Sequence, residues 1–231
     1  MGYKVLASLI LQRLKDAGSE SRLSNSQFGF RPNRGTADAL FIVRRIIEAT
    51  IDDRDASLYV VLLDWSKAFD RIKHDALMSA LHRFGVRGPF LELIGAIYRD
   101  RSFSVIDAGC DSRVHEQLAG IAQGCPLSPY LFIILMTVVM VDAKALTNGV
   151  EPKPYIVSPD VVYADDTLLM SSSPVLVQKL LDNVALTGRS YGLELNLDKT
   201  VLLRVRGQEY IFSVDGKPLK IKTDTYILGV Y

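Results

Sequence analysis

Cysteine is nearly missing from this chain, with Cys110 and Cys125 the two present in 231 residues. They form no CxxC pair and join no Cys/His cluster, so neither a disulfide framework nor a structural zinc site is indicated. Charge imbalance is missing too. The 27 Lys and Arg against 26 Asp and Glu leave a net charge of +1, so a nucleic-acid partner, if there is one, has to be met by a local basic footprint. The apolar run from Tyr130 to Val141 is interrupted by Thr137 and is shorter than a bilayer requires. The N-terminus shows no charged-then-apolar secretory pattern. Those absences point to an intracellular chain with no membrane partner. No repeat or low-complexity stretch interrupts the sequence, and 48% hydrophobic with 23% charged residues is enough to build one compact domain, or one and a fragment.

What is there alternates between the two periodicities. Tyr3 to Leu14 has helical spacing, with Leu6, Leu9, Ile10 and Leu14 on one face, and a polar loop follows from Asp16 to Ser26. Thr36 to Thr50 is a second amphipathic helix, with Leu40, Val43, Ile46 and Ile47 inward and Arg44, Arg45 and Glu48 outward. Leu58 to Leu63 reads as a buried strand that ends in Asp64. His74 to Phe84 and Pro89 to Tyr98 are two further helices parted by Gly85 and Gly88. Short strands are expected at Ser102 to Ile106 and Arg113 to Leu118, joined by a turn at Gly109 to Asp111.

The longest helical stretch, Pro126 to Leu146, is apolar nearly all round between Leu127 and Val141 and belongs inside the domain. Val157 to Val162 and Thr167 to Met170 read as a hairpin whose tip is Tyr163, Ala164, Asp165 and Asp166. Ser173 then caps a helix that starts at Pro174 and runs to about Ser190. Strand-like pieces follow at Leu193 to Leu195, Val201 to Val205 and Tyr210 to Val214, the last turning at Asp215 and Gly216. The order describes an α+β fold.

The chemistry lies in the acids at strand ends. Asp64 alone can cap the next segment, and paired aspartates are ordinary turn residues. Three acids gathered at the ends of apolar strands repel one another unless a cation or a proton offsets the charge. Hard cations take oxygen ligands, and nucleotidyl transfer uses two of them about 3.5–4 Å apart to hold an in-line displacement. Asp64, Asp165 and Asp166 meet that demand if their strands are neighbours.

The motif Tyr163-Ala164-Asp165-Asp166 resembles the catalytic motif of reverse transcriptases, and other segments resemble that family in matching order. Asn25-Ser26-Gln27-Phe28-Gly29-Phe30-Arg31-Pro32 is similar to the fingers segment of non-LTR retrotransposon and group II intron enzymes. Leu63-Asp64-Trp65-Ser66-Lys67-Ala68-Phe69-Asp70 resembles their first palm motif, in wording closest to the LINE-type branch. Gln123 to Pro129 resembles the second, Gly192 to Asn196 with Lys199-Thr200 the segment after the catalytic hairpin, and Tyr226-Ile227-Leu228-Gly229 the primer grip.

That resemblance implies a polymerase palm with a ferredoxin-like antiparallel sheet packed on helices. It puts partial fingers at 1–57 and the palm at 58–231, with some fingers contribution near 71–122, and no thumb. It assigns Asp64, Asp165 and Asp166 to two Mg2+ ions, with Mn2+ as substitute, and Lys199 to proton donation. Trp65, Ser66, Lys67, Ala68, Phe69, Gln123 and Gly124 fall to the incoming nucleotide, the amides of Ser66 to Ala68 holding its triphosphate, and Arg31 joins the substrate-binding set as a template or structural contact. Phe69 takes the place of the gate that excludes a ribose 2′-hydroxyl. Tyr163, Leu228 and Gly229 fall to the primer. The partners implied are an RNA template, a DNA primer and dNTPs, and the compartment is the nucleus for a eukaryotic retroelement.

The sequence departs from the family's pattern in two places. The fingers arginine expected before Gln27 is not found upstream, and Ala122 stands where relatives often carry arginine. Three other readings compete. An RNA-dependent RNA polymerase shares the acids but wants a polar residue at Phe69. A silent nucleic-acid-binding fragment accounts for the missing thumb, and an unrelated metal-binding α+β protein would need every segment to match by chance.

Overall fold

The computed structural model describes residues 2–107, 109–147 and 160–222. The chain opens with α1 (Gly2–Asp16), a 3-10 turn over Ser19–Arg22, and α2 (Thr36–Asp52). Strand β1 (Leu58–Leu63) leads through the four-residue α3 (Ala68–Arg71) to α4 (His74–Phe84) and α5 (Pro89–Tyr98). Four two-residue strands follow: β2 (Ser102–Phe103), β3 (Ile106–Asp107), β4 (Cys110–Asp111) and β5 (His115–Glu116). Then come α6 (Ser128–Leu146), the hairpin β6 (Asp160–Tyr163) and β7 (Asp166–Ser171), α7 (Pro174–Ser190), β8 (Val201–Val205) and β9 (Lys220–Lys222).

The main sheet runs β6-β7-β1-β8-β9. Its first four strands are mutually antiparallel, and β9 lies parallel to β8. β1 is central, and both its faces are covered. Tyr59, Val61 and Leu63 join the large core with α4, α6 and α7, whereas Leu58 and Val60 join Ala39 and Val43 of α2 on the other side. Burial on two faces is why the strand is an unbroken apolar run instead of an alternating one.

α6 is buried from Tyr130 to Met140 without a break and packs between α4 and α7. At 19 residues it is long and apolar enough to cross a membrane, longer than the run seen in the sequence, yet two-thirds of it is buried within this fold. Its hydroxyl at Thr137 is satisfied by the Ile133 carbonyl at 2.8 Å. α7 begins as its sequence indicates, the Ser173 hydroxyl accepting from the Leu176 amide at 3.3 Å ahead of Pro174.

Four expectations need correction. On α1 the buried face is Ala7, Ile10 and Leu14, and Leu6 and Leu9 are exposed, because the helix is covered along a stripe one residue removed from the one its leucines mark. The 102–118 arm breaks into two small ladders, since the Ser112 hydroxyl and amide both bond Val105 and interrupt the pairing. Leu193 to Leu195 makes one bridge, Trp65 to Leu195, instead of a strand. Tyr210 to Val214 does turn back on itself at Asp215 and Gly216, but it is β9, after the turn, that joins the sheet.

Gly188 in α7 lies against the Trp65 ring, and a Cβ there would sit 2.7 Å from two ring carbons. Trp65 is 4% exposed and cannot swing aside. Gly188→Ala should destabilise the fold by about 1–3 kcal/mol in urea melts, even though alanine favours helix. Unchanged stability would mean the ring has room to move.

Candidate polymerase active site

β1 and β7 are paired through Leu63 and Thr167. Asp64 and Asp166 are the next residues beyond that pair, and they lie near enough for their charges to interact. β6 and β7 are joined by a two-residue turn, Ala164 and Asp165, closed by the pair Tyr163 and Asp166. Ala164 occupies the left-handed region at φ 57°, as a tight hairpin demands of a turn residue. The fold therefore brings Asp64 together with Asp165 and Asp166, an adjacent pair far along the chain from it, at one end of two neighbouring strands.

Their proximity has an electrostatic signature. The Asp166 carboxyl is pushed up, first by burial and then by the negative charges of Asp165 and Asp64. Among the described residues no three His, Cys, Asp or Glu side chains lie close enough, as placed, to share an ion. Instead the Asp64 Oδ2 lies 3.9 Å from the Lys199 ammonium. The backbone register decides the matter more firmly than these half-exposed side chains, because a carboxylate rotamer changes at small cost whereas a strand register does not. All three offer hard oxygen donors, so the donor set fits divalent cations.

A raised carboxyl makes folding favour the protonated form. Its favourable contribution is full below the ordinary carboxylate range and is lost as pH rises through the elevated value. Asp166→Asn should accordingly raise the melting temperature near neutral pH without divalent cations. The gain should vanish in acid, and melts across pH would show an equal offset at every pH if the charges did not interact.

Around the acids, the expected residues divide. The backbone of Asp64 is pinned by the Asn196 amide at 2.7 Å, and the Ser66 amide donates to the Glu194 carbonyl at 2.8 Å. That amide is already used and cannot serve a phosphate, which leaves Lys67, left-handed at φ 50°, and Ala68 at the head of α3. The Trp65 ring is core, its Nε1 donating to Thr167 Oγ1 at 3.4 Å, so the side chain is not open to a ligand. Phe69 is half-buried and stacks on Phe132 with ring centroids 4.5 Å apart and an interplanar angle of 11°. Gln123 and Gly124 are exposed, and Gln123 Nε2 donates to Asp70 Oδ1 at 2.9 Å.

Arg31, expected as a template or structural contact on the substrate side, donates to the carbonyls of Ser24, Gln27 and Glu20 and so braces its own loop. Lys199 is largely exposed and stands beside Asp64. Tyr163 is partly buried against the α2 side of the sheet. Leu228 and Gly229, with the rest of the primer-grip sequence, lie outside the described residues. Two residues gain a role only in the fold: Phe132 reads in the sequence as one more apolar residue of a buried helix, and Asn196, within a family-like segment, shows its hold on Asp64 only when the sheet is formed.

A hairpin tip of paired acids beside a third acid on the central strand, in a sheet backed by helices, defines the palm of a polymerase. Solved structures share that fold. Telomerase from Candida tropicalis, in complex with a fragment of telomeric RNA, matches with a TM-score of 0.65 at 16% identity, over 88% of this chain and 34% of that one. The apo form truncated from its C-terminal domain gives 0.60 at 18% identity, over 90% and 41%. Residues 1–229 match the family described as reverse transcriptase (RNA-dependent DNA polymerase), and the chain belongs to that family.

Curated relatives narrow the branch. The Pol polyprotein of a type-2 retrotransposable element of Drosophila melanogaster is 29% identical over 86% of this chain and 19% of its own length. The RNA-directed DNA polymerase of the mobile element jockey from Drosophila funebris is 31% identical over 76% of this chain and 18% of its own. The chain thus spans about a fifth of the length of these relatives.

Proposed function

We propose that this chain is the polymerase core of a retroelement protein that adds deoxynucleotides to a DNA primer on an RNA template. The observation that carries the proposal is the pairing of β1 and β7 up to Leu63 and Thr167, which brings the next residues, Asp64 and Asp166, within electrostatic reach, with Asp165 in the adjoining turn. Relatives named as retrotransposon polymerases support the choice of template and product. On this reading residues 58–231 form the palm, 1–57 contribute fingers, and the protein acts inside the cell, in the nucleus where the host has one.

Asp64, Asp165 and Asp166 would hold two Mg2+ ions, or Mn2+ in their place. When bound, the ions stabilise charge on the phosphate between attacking and leaving oxygens. The chain's own residues do the rest. The Lys67 and Ala68 amides, at the start of a helical turn, face the triphosphate with partial positive charge. Phe69, backed by Phe132, fills the space a ribose 2′-hydroxyl would need. Gln123 and Gly124 would meet the incoming base, and Tyr163, with Leu228 and Gly229 of the primer-grip sequence, is assigned to the primer. Lys199, an ammonium beside Asp64, delivers a proton to the departing pyrophosphate.

The test is extension of a DNA primer annealed to RNA, with Mg2+ or Mn2+, by this chain within its full reading frame. Cation-dependent synthesis is the expected result. A folded protein that binds the primer-template but adds no nucleotide with either ion would overturn the reading.

A further inference from the structure

The segment before α2 is tied to the catalytic hairpin by backbone pairing and by the side chains of Ser26 and Gln27. Ser26 to Phe28 runs parallel along the outer edge of β6, with the Val162 amide donating to the Ser26 carbonyl at 2.8 Å and the Phe28 amide to the Val162 carbonyl at 2.7 Å. Between them the Gln27 side chain, 1% exposed, turns toward the hairpin tip. Its Oε1 accepts from the Ala164 amide at 3.1 Å and from the Gly29 amide at 2.8 Å. Ala164 is the left-handed residue immediately before Asp165. Gly29 is packed so closely that a Cβ would overlap the Ala164 amide nitrogen.

The other end of the same carboxamide makes the placement informative. Among the described residues, Gln27 Nε2 is buried with no hydrogen-bond partner. A buried orphan donor is costly, and an apolar side chain of the same length would avoid that cost. A residue kept at such a cost is needed for its other atom, the oxygen that holds the turn. The segment is also anchored at its start, where the Ser26 hydroxyl donates to Asp160 Oδ2 at 2.7 Å and the Lys144 ammonium lies 2.7 Å from Asp160 Oδ1. Asp160 is fully buried, so the strap has a fixed base on α6 and β6.

We propose that Gln27 is a positioning residue for the polymerase site: its carboxamide oxygen fixes the Ala164 amide and thereby the direction in which Asp165 and Asp166 leave the turn. The catalytic part of this rests on the function proposed above. The positioning part does not.

The test uses amide hydrogen exchange on the chain itself, followed by steady-state kinetics on the full-length protein. Gln27→Met keeps the length and removes both the acceptor and the orphan donor. Protection of the Ala164 amide should fall about tenfold or more, while the melting temperature holds or rises. Gln27→Glu, which keeps an oxygen at that place, should retain the protection. In the full-length protein Gln27→Met should lower kcat by about 10- to 100-fold with primer-template affinity unchanged, the size of effect seen when a group that orients metal ligands is lost. Unchanged Ala164 protection in Gln27→Met overturns the proposal, as does a melting temperature that falls in step with the protection, which marks a packing role. If protection falls as expected but the unsubstituted protein adds no nucleotide, the strap stands and the polymerase reading fails.

Discussion

Asp165→Asn should remove primer extension, lowering the rate by about three orders of magnitude, because a direct anionic ligand contributes several kcal/mol to holding charge in the transition state. The substitution is close to isosteric. Asn is tolerated in tight turns, so the hairpin of β6 and β7 should keep its shape. Removing one of three crowded charges should also leave the metal-free fold no less stable, since Asp166 is held above the ordinary carboxylate range in part by Asp165. The combination separates chemistry from folding, as activity is lost while the melting curve is kept or improved. Extension within tenfold of the unsubstituted protein would remove Asp165 from the site.

Phe69→Val should raise incorporation of ribonucleotides relative to deoxyribonucleotides by roughly ten- to a hundredfold, the ratio that corresponds to relieving a steric overlap of a few kcal/mol. The ring is not free to yield in the unsubstituted protein, because it stacks on Phe132, which is fully buried in α6. A gate with a rigid back wall discriminates better than one that can retreat. Phe132→Leu should therefore shift the ratio in the same direction by less. Competing dATP against ATP opposite one template position measures both, and a ratio unmoved by Phe69→Val removes the gate assignment.

Much of this architecture could be read from the residues. β1 announced itself because a strand covered on both faces is a continuous apolar run, and α6 because a helix buried all round has no polar face. Both signals come from burial, which composition records directly. The three acids were readable for a related reason, being charged residues at the ends of runs that otherwise exclude charge. Contacts made by backbone geometry left no such trace. Nothing in the letters Leu6 and Leu9 says that α1 is covered along the Ala7, Ile10 and Leu14 stripe. Nothing in Ser66 says that its amide is already taken by Glu194, and Arg31 reads equally as a template or a structural contact until its three carbonyl acceptors are in view. Gln27 lay inside a segment that resembles the family's fingers, but its oxygen acquires a role only when Val162 and Ala164 are brought beside it.

The all-round apolar character of α6 also governs how the protein can be made. During synthesis this stretch leaves the ribosome before α7, one of the two helices it packs between, has been translated. For that interval a sticky cylinder of leucine, isoleucine, valine and methionine is open to chaperones, to other nascent chains and to the machinery that recognises membrane segments. Recombinant yield should therefore fall steeply with expression rate and temperature, and C-terminal truncations that end before α7 should collect as insoluble aggregates however sound their remaining strands are.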